Sequence, residues 1–179
     1  MTGQRHSNGV GRREAVQLVG LLLAAAVVPA SAQERPLRIG IIGTGRVGGA
    51  LATHWTKAGH EVLMSSRHPE ELRPLAASLG ARARVGTPQE AAAFGEVVLV
   101  SVPYSALPDI GRDNVAQLKG KVVLDTSNPV EGRDGAMALA AQKKGAGVAT
   151  AELLRGARVV RAKSWCVNAS ASGQPGSAV

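Results

Sequence analysis

Gly43, Gly45 and Gly48, spaced G-x-G-x-x-G, stand at the end of the run Leu37-Arg38-Ile39-Gly40-Ile41-Ile42-Gly43-Thr44-Gly45-Arg46-Val47-Gly48. Residues of this type at this spacing can hold a phosphate ester. The first glycine lets the chain turn sharply off a strand. Gly45, without a Cβ, lets a pyrophosphate approach the backbone, and Gly48 lets the following helix pack close to the sheet. The helix start then offers N–H groups without intrahelical partners and the positive end of its dipole. The apolar β-branched run before the glycines and the helical pattern after them give the spacing its dinucleotide meaning. Without that setting the same glycines describe a tight structural turn.

A second signal lies where the next strand should end. The pattern predicts a helix from Arg46 to Ala58, with Val47, Leu51, Trp55 and Ala58 on one face and Gly59 to stop it. Glu61 to Arg67 then reads as a strand. Sites that prefer NAD carry an acid about 20 residues past the glycines, to hold the ribose 2′-hydroxyl. Ser66 and Arg67 stand there instead, followed by His68. A hydroxyl and a guanidinium suit a 2′-phosphate through charge-assisted bonds, whereas a carboxylate would repel it. This favours NADP over NAD. The alternative is a solvated arginine at a strand end.

The elements that must position these residues alternate along the chain. Pro69 to Leu79 reads as a helix with Leu72, Leu75, Ala76 and Leu79 on its buried side, and Ala83 to Gly86 as a short strand. Thr87-Pro88-Gln89-Glu90 is a capping box before a small helix from Pro88 to Ala93. Glu96 to Pro103 contains the continuous apolar run of a strand covered on both faces. Tyr104 to Leu118 reads as helical in its middle, with Pro108 near a helix start. Lys121 to Asp125 and Gly156 to Ala162 supply two further strands. The fold class is therefore α/β, a Rossmann-type doubly wound parallel sheet in a single domain over residues 33–162.

Ligands of such sheets bind beyond the carboxyl ends of the strands. Three loops are expected to converge there: Gly43–Gly48, Val102-Pro103-Tyr104 and Ser127-Asn128-Pro129. Val102, Pro103, Tyr104, Asn128 and Pro129 are thus candidates for the ribose and nicotinamide. Pro103 and Pro129 read equally well as strand terminators.

Composition bounds the partners. The 179 residues carry 21 Lys and Arg against 13 Asp and Glu, a net charge of +8. The basic residues are scattered, and one Phe, one Tyr and two Trp leave little to stack on bases. Neither a clustered basic face nor an aromatic platform points to nucleic acid. A basic surface that attracts phosphorylated small molecules accounts for the charge. Cys166 is the single cysteine, and His6, His54, His60 and His68 show no ligand spacing, so no metal site is expected.

At the amino end, Arg12-Arg13 precede an apolar stretch from Ala15 to Val28, and Ala30-Ser31-Ala32 supplies a small-x-small cleavage pattern. Residues 1–32 read as a signal peptide of twin-arginine type cut after Ala32, with the mature protein exported to the periplasm and no membrane span left after cleavage; the alternatives are an ordinary secretory signal and an uncleaved membrane anchor. The apolar stretch is shorter than the ~20 residues a spanning helix needs. Asn168–Val179 is rich in Ser, Gly and Ala, and residues 163–179 read as a disordered or aberrant tail.

Ile39–Gly48 with Ser66-Arg67, the Val98–Pro103 strand, Val123–Pro129 and Gly156–Ala162 together resemble the coenzyme F420-dependent NADP oxidoreductase family and the NADPH-binding domain of the STEAP-type metalloreductases. The resemblance implies an NADP-dependent oxidoreductase that passes hydride between NADP(H) and a flavin or deazaflavin such as F420. It implies that Thr44, Gly45, Arg46 and Val47 line the pyrophosphate and that Ser66 and Arg67 hold the 2′-phosphate. No catalytic side chain is assigned, because direct hydride transfer requires no general base. The expected partner is a small-molecule redox acceptor, and a homodimer is compatible with the reading.

The chain departs from the family pattern in two places. Glu71 stands where F420-dependent members often place a further basic residue. Lys163-Ser164-Trp165-Cys166 stands where relatives continue with Phe-Asn, as in a chain truncated at its C-terminus. The competing readings are a non-catalytic NADP-binding module and the nucleotide domain of a hydroxyacid or sugar dehydrogenase. The second needs a further domain carrying a catalytic lysine.

Overall fold

Six short apolar runs assemble into one wholly parallel sheet of order β3-β2-β1-β4-β5-β6 in a computed structural model that describes residues 35–162. The expected leader and its cleavage site, Cys166 and the expected tail all lie outside the described residues. The strands are β1 (Arg38–Ile42), β2 (Glu61–Ser65), β3 (Ala83–Gly86), β4 (Val97–Val100), β5 (Val122–Asp125) and β6 (Arg158–Arg161). Parallel neighbours need crossovers, and helices supply them. In chain order these are α1 (Arg46–Lys57), α2 (Arg73–Leu79), α3 (Pro88–Phe94), α4 (Leu107–Asp113), α5 (Val115–Leu118), α6 (Glu131–Asp134), α7 (Ala136–Lys144) and α8 (Ala146–Leu153). None of the described helices is long and apolar enough to cross a membrane.

Side chains alternate across the sheet with the period of two that strands impose. Ile39, Ile41, Val62, Met64 and Leu99 pack on one face with Ala52 of α1 and Leu72. Ile42, Val98, Val100 and Val123 pack on the other with Ala91 and Ala92 of α3, Leu107, Leu118, Ala141 and Leu154. The chain order reverses between β1 and β4, and the crevice of a doubly wound sheet opens at that point.

The capping box before α3 forms as expected: Glu90 N–H donates to Thr87 Oγ1 at 3.1 Å and Thr87 N–H to Glu90 Oε2 at 2.7 Å. The Thr87 backbone N–H, and after it the Thr87 hydroxyl, hold the Glu90 carboxyl below its usual range. Pro108 falls in the first turn of α4, where its missing N–H costs nothing. The region expected to hold one helix from Pro69 divides into a 3-10 turn, Pro69–Leu72, followed by α2, and Leu72 is its one buried member.

Two expectations are corrected, and one stretch carries helices that were not expected. The buried face of α1 runs through Gly48, Ala52 and Thr56, with Leu51 and Trp55 at its flank, and Ala58 is exposed. The close seat of Gly48 on the glycine turn rotates the helix so that its smallest residues face the sheet. β2 ends at Ser65, so Ser66 and Arg67 belong to the loop beyond it. Helices α6 to α8 occupy a stretch for which no element was expected, since the alanines scattered through Ala136–Lys144 leave no apolar stripe.

Candidate functional site

The glycine turn is fastened to the end of β2 before any ligand is considered. Gly43 N–H and Thr44 N–H donate to the Ser65 carbonyl at 3.1 and 3.0 Å, and Thr44 Oγ1 donates to the same oxygen at 3.1 Å. Ser65 Oγ in turn donates to the Ile41 carbonyl at 2.8 Å. One carbonyl thus brings the turn after β1 beside Ser66 and Arg67, which follow it in the chain. His68 N–H donates to Ser66 Oγ at 3.0 Å and fixes that hydroxyl in a tight local turn.

The three glycines of the turn differ in what the protein itself demands of them. Gly43 has φ +94°, and a Cβ there would lie 2.3 Å from the Ser101 carbonyl oxygen. A Cβ on Gly48 would lie 2.3 Å from the Gly43 carbonyl oxygen. Gly45 has φ −82°, which any residue adopts, and a Cβ there meets nothing within 4 Å. Packing explains the first and third glycines and leaves the second unexplained.

These residues border a cavity of about 650 Å³, a size in the range of small-molecule and cofactor sites. Its wall on the β1 side is Ile42 to Gly45, on the β2 side Ser66 to His68 with Glu71, and on the β4 side Ser101 to Pro103 with Ser105 and Ala106. The cavity therefore opens beyond the carboxyl ends of β1 and β4, where the chain order reverses.

Of the candidate residues, the fold brings Gly43, Thr44, Gly45, Ser66, Arg67, Val102 and Pro103 together around this cavity. Arg46 and Val47 follow in the first turn of α1, whose cap provides no side-chain bond to the leading N–H groups. Gly48 is buried beneath the turn.

Three candidates stand elsewhere. Tyr104 is fully buried in the core cluster with Leu107 and Ala141, because the chain turns into the 3-10 helix Tyr104–Ala106 directly after Pro103. Asn128 accepts from Arg161 Nη2 at 3.1 Å through its side chain and from Arg133 Nη2 at 2.5 Å through its carbonyl. The Pro129 carbonyl accepts from Gln142 Nε2 at 3.0 Å. The loop after β5 is thus tied to β6, α6 and α7 rather than opened onto the cavity. Buried Asp125 reinforces this, accepting from Arg161 Nη1 at 2.8 Å and from Ser127 N–H at 2.8 Å.

Sequence reasoning missed Ser101, Ser105, Ala106, Asp109 and Ile110, which complete the β4 side. Ser101 was reachable, as the residue one past an apolar strand. The others depend on how α4 leans over the sheet. His68, Glu70 and Glu71 place ligand atoms within 4.8 Å of one another, all three exposed, although the histidines show no ligand spacing in the sequence.

A family described as NADP oxidoreductase, coenzyme F420-dependent, matches residues 38–129. The metalloreductase STEAP3 of Rattus norvegicus is 36% identical over 97 residues, covering 52% of this chain and 18% of that protein. The chain thus spans under a fifth of that relative's length. A structure from Arthrobacter sp. FB24 described as an F420-dependent NADP-reductase is 20% identical with a TM-score of 0.58, over 70% of this chain and 61% of that one. A hypothetical protein of Sinorhizobium meliloti is 27% identical with a TM-score of 0.59, over 76% of this chain and 67% of that one.

Proposed function

Because this chain belongs to the family of coenzyme F420-dependent NADP oxidoreductases, we propose that it binds NADP(H) in the cavity beyond β1 and β4 and carries out hydride transfer with a flavin or deazaflavin acceptor such as F420. The observation that carries this reading is Gly45. It is a glycine that nothing in the chain requires, set at the start of α1 between two glycines that packing does require. A molecule approaching the backbone from outside supplies the missing reason, and a pyrophosphate fits the unpaired N–H groups that point at it.

Bound NADPH would supply the hydride, and the protein's part is to hold, orient and keep water away. The backbone from Thr44 to Val47 would bind the pyrophosphate. Ser66 and Arg67 would hold the 2′-phosphate, with the guanidinium giving paired charge-assisted bonds. Val102 and Pro103 would form the apolar wall against the nicotinamide, where excluded water favours direct transfer. Residues 1–32 would direct the protein to the periplasm.

The test is NADPH oxidation by the purified full chain with F420, FMN or FAD as acceptor, beside the same assay with NADH. We expect turnover with at least one of these acceptors and a clear preference for NADPH. Tight NADPH binding without turnover on any of them would leave a binding module; failure to bind either cofactor would end the reading.

Glu71 lines the cavity together with Arg67 and His68. A carboxylate there repels a doubly charged phosphate, though solvent weakens the effect. Glu71→Gln should tighten NADPH binding by about three- to fivefold at low salt, corresponding to under ~1 kcal/mol. The gain should shrink as salt is added, and NADH binding should not move. Fluorescence titration at two ionic strengths reads all of this.

A further inference from the structure

We propose that Asp134 is a positioning residue for the nicotinamide side of the cavity, an inference that rests on the cofactor reading above. Asp134 ends the short helix α6, and its side chain is wholly buried. Its Oδ1 accepts from Ser105 N–H at 3.1 Å, across 29 residues of sequence. Its Oδ2 accepts from Val130 N–H at 3.0 Å. The Arg133 guanidinium grips both oxygens, at 2.9 to 3.2 Å, and also reaches the Asn128 carbonyl. Every lone-pair direction of the carboxylate is thereby used. The Arg133 bonds, with those from Val130 and Ser105, hold its pKa far below the usual carboxylate range against the cost of burial. The group stays charged at any pH at which the protein would work.

What this carboxylate holds is informative. Ser105 lies in the first turn after β4, in the segment that supplies Val102, Pro103, Ser105 and Ala106 to the cavity wall. Its N–H is among those a helix start leaves without an intrahelical acceptor. Asp134 supplies that acceptor from another loop and favours the helix start electrostatically. Gly135, with φ +58°, lets the chain leave α6 directly after Asp134 and enter α7. The carboxylate is therefore fixed from its own side as well. The wall beside the nicotinamide is set by a residue that does not border the cavity.

Two probes separate this role from general stability. NADPH would touch both halves of the cavity, while adenosine 2′,5′-bisphosphate would touch only the half formed by the glycine turn, Ser66 and Arg67. In Asp134→Asn one acceptor becomes a donor facing N–H groups. We expect this variant to bind NADPH about tenfold more weakly and the bisphosphate within about twofold of wild type, tenfold being the loss of about one such bond. Arg133→Lys keeps a cation beside the buried carboxylate and leaves the Ser105 bond, and should bind NADPH within about threefold of wild type.

Hydrogen exchange without ligand judges the bond directly. The Ser105 amide should be protected in wild type and lose protection in Asp134→Asn. A folded Asp134→Asn that binds NADPH normally, an equal loss for both probes, or an unprotected Ser105 amide in wild type would each overturn the proposal. A wild type that takes up neither probe overturns the cofactor reading itself. Should Asp134→Asn fail to fold, Asp134→Glu, which shifts the carboxylate, decides instead: weaker NADPH binding with unchanged bisphosphate binding and a less protected Ser105 amide supports the proposal, and unchanged NADPH binding overturns it.

Discussion

Arg67→Ala is expected to weaken NADP(H) binding by about 30-fold or more, near 2 kcal/mol, while NAD(H) binding stays within about threefold. The asymmetry follows from what each cofactor offers at that position. A 2′-phosphate brings two charges and three acceptor oxygens, which a planar guanidinium meets in pairs. A 2′-hydroxyl brings neither, and Ser66 suffices for it. Arg67 is exposed and borders the cavity just past the end of β2, so its removal should barely change the melting temperature. Calorimetric titration of both cofactors into wild type and variant decides the matter. An equal loss for both cofactors, or none for NADP(H), would mean that the guanidinium is only a solvated charge.

Gly45→Val should separate ligand binding from folding even more sharply. A Cβ at this position meets no protein atom within 4 Å, and the backbone there suits an ordinary residue. Losing a good N-cap should cost about 1 kcal/mol or less. The branched side chain would nevertheless occupy the space through which a pyrophosphate must come. NADPH affinity is expected to fall at least about 100-fold, some 2.7 kcal/mol, with the fold intact. Gly43→Ala and Gly48→Ala are the controls, since each would drive a Cβ to 2.3 Å from a backbone oxygen. Those variants should lose several degrees of melting temperature or fail to fold. A Gly45→Val protein that binds NADPH normally would show that the turn is structural throughout.

The sheet and the glycine turn were legible because both are written locally. A buried parallel strand must be apolar for several residues in a row, and Val97–Val100 and Ile39–Ile42 have no other use. Thr87 and Glu90 announced a helix start for a similar reason, since both halves of that bond lie within one turn. The loop after β5 could not be read this way. Its expected place at the crevice followed from its position past a strand, but Arg161, 33 residues away, captures Asn128. An arginine near a strand end gives no sign of its distant partner. Tyr104 misled because a tyrosine beside a proline in a loop suggests display, whereas the helical turn after Pro103 directs the ring into the core. Helices α7 and α8 were invisible for a simpler cause. Alanine buries well on any side, so it leaves no periodic stripe.

The outermost place of β6 among the described strands sets what that flank of the sheet would offer to a further strand. Its sequence is Arg-Val-Val-Arg, with a charge at each end, and Arg161 anchors it to Asp125. Inside it lie Val122–Asp125 of β5 and then Val97–Val100 of β4, runs whose open backbone groups would pair readily with any similar strand. Charged residues on an outer strand of this kind oppose pairing with a further strand, and Arg158 is the exposed one of the two. A chain that lost β6 would bare the side of β5 and should tend toward aggregation while the cavity beyond β1 and β4 stays intact.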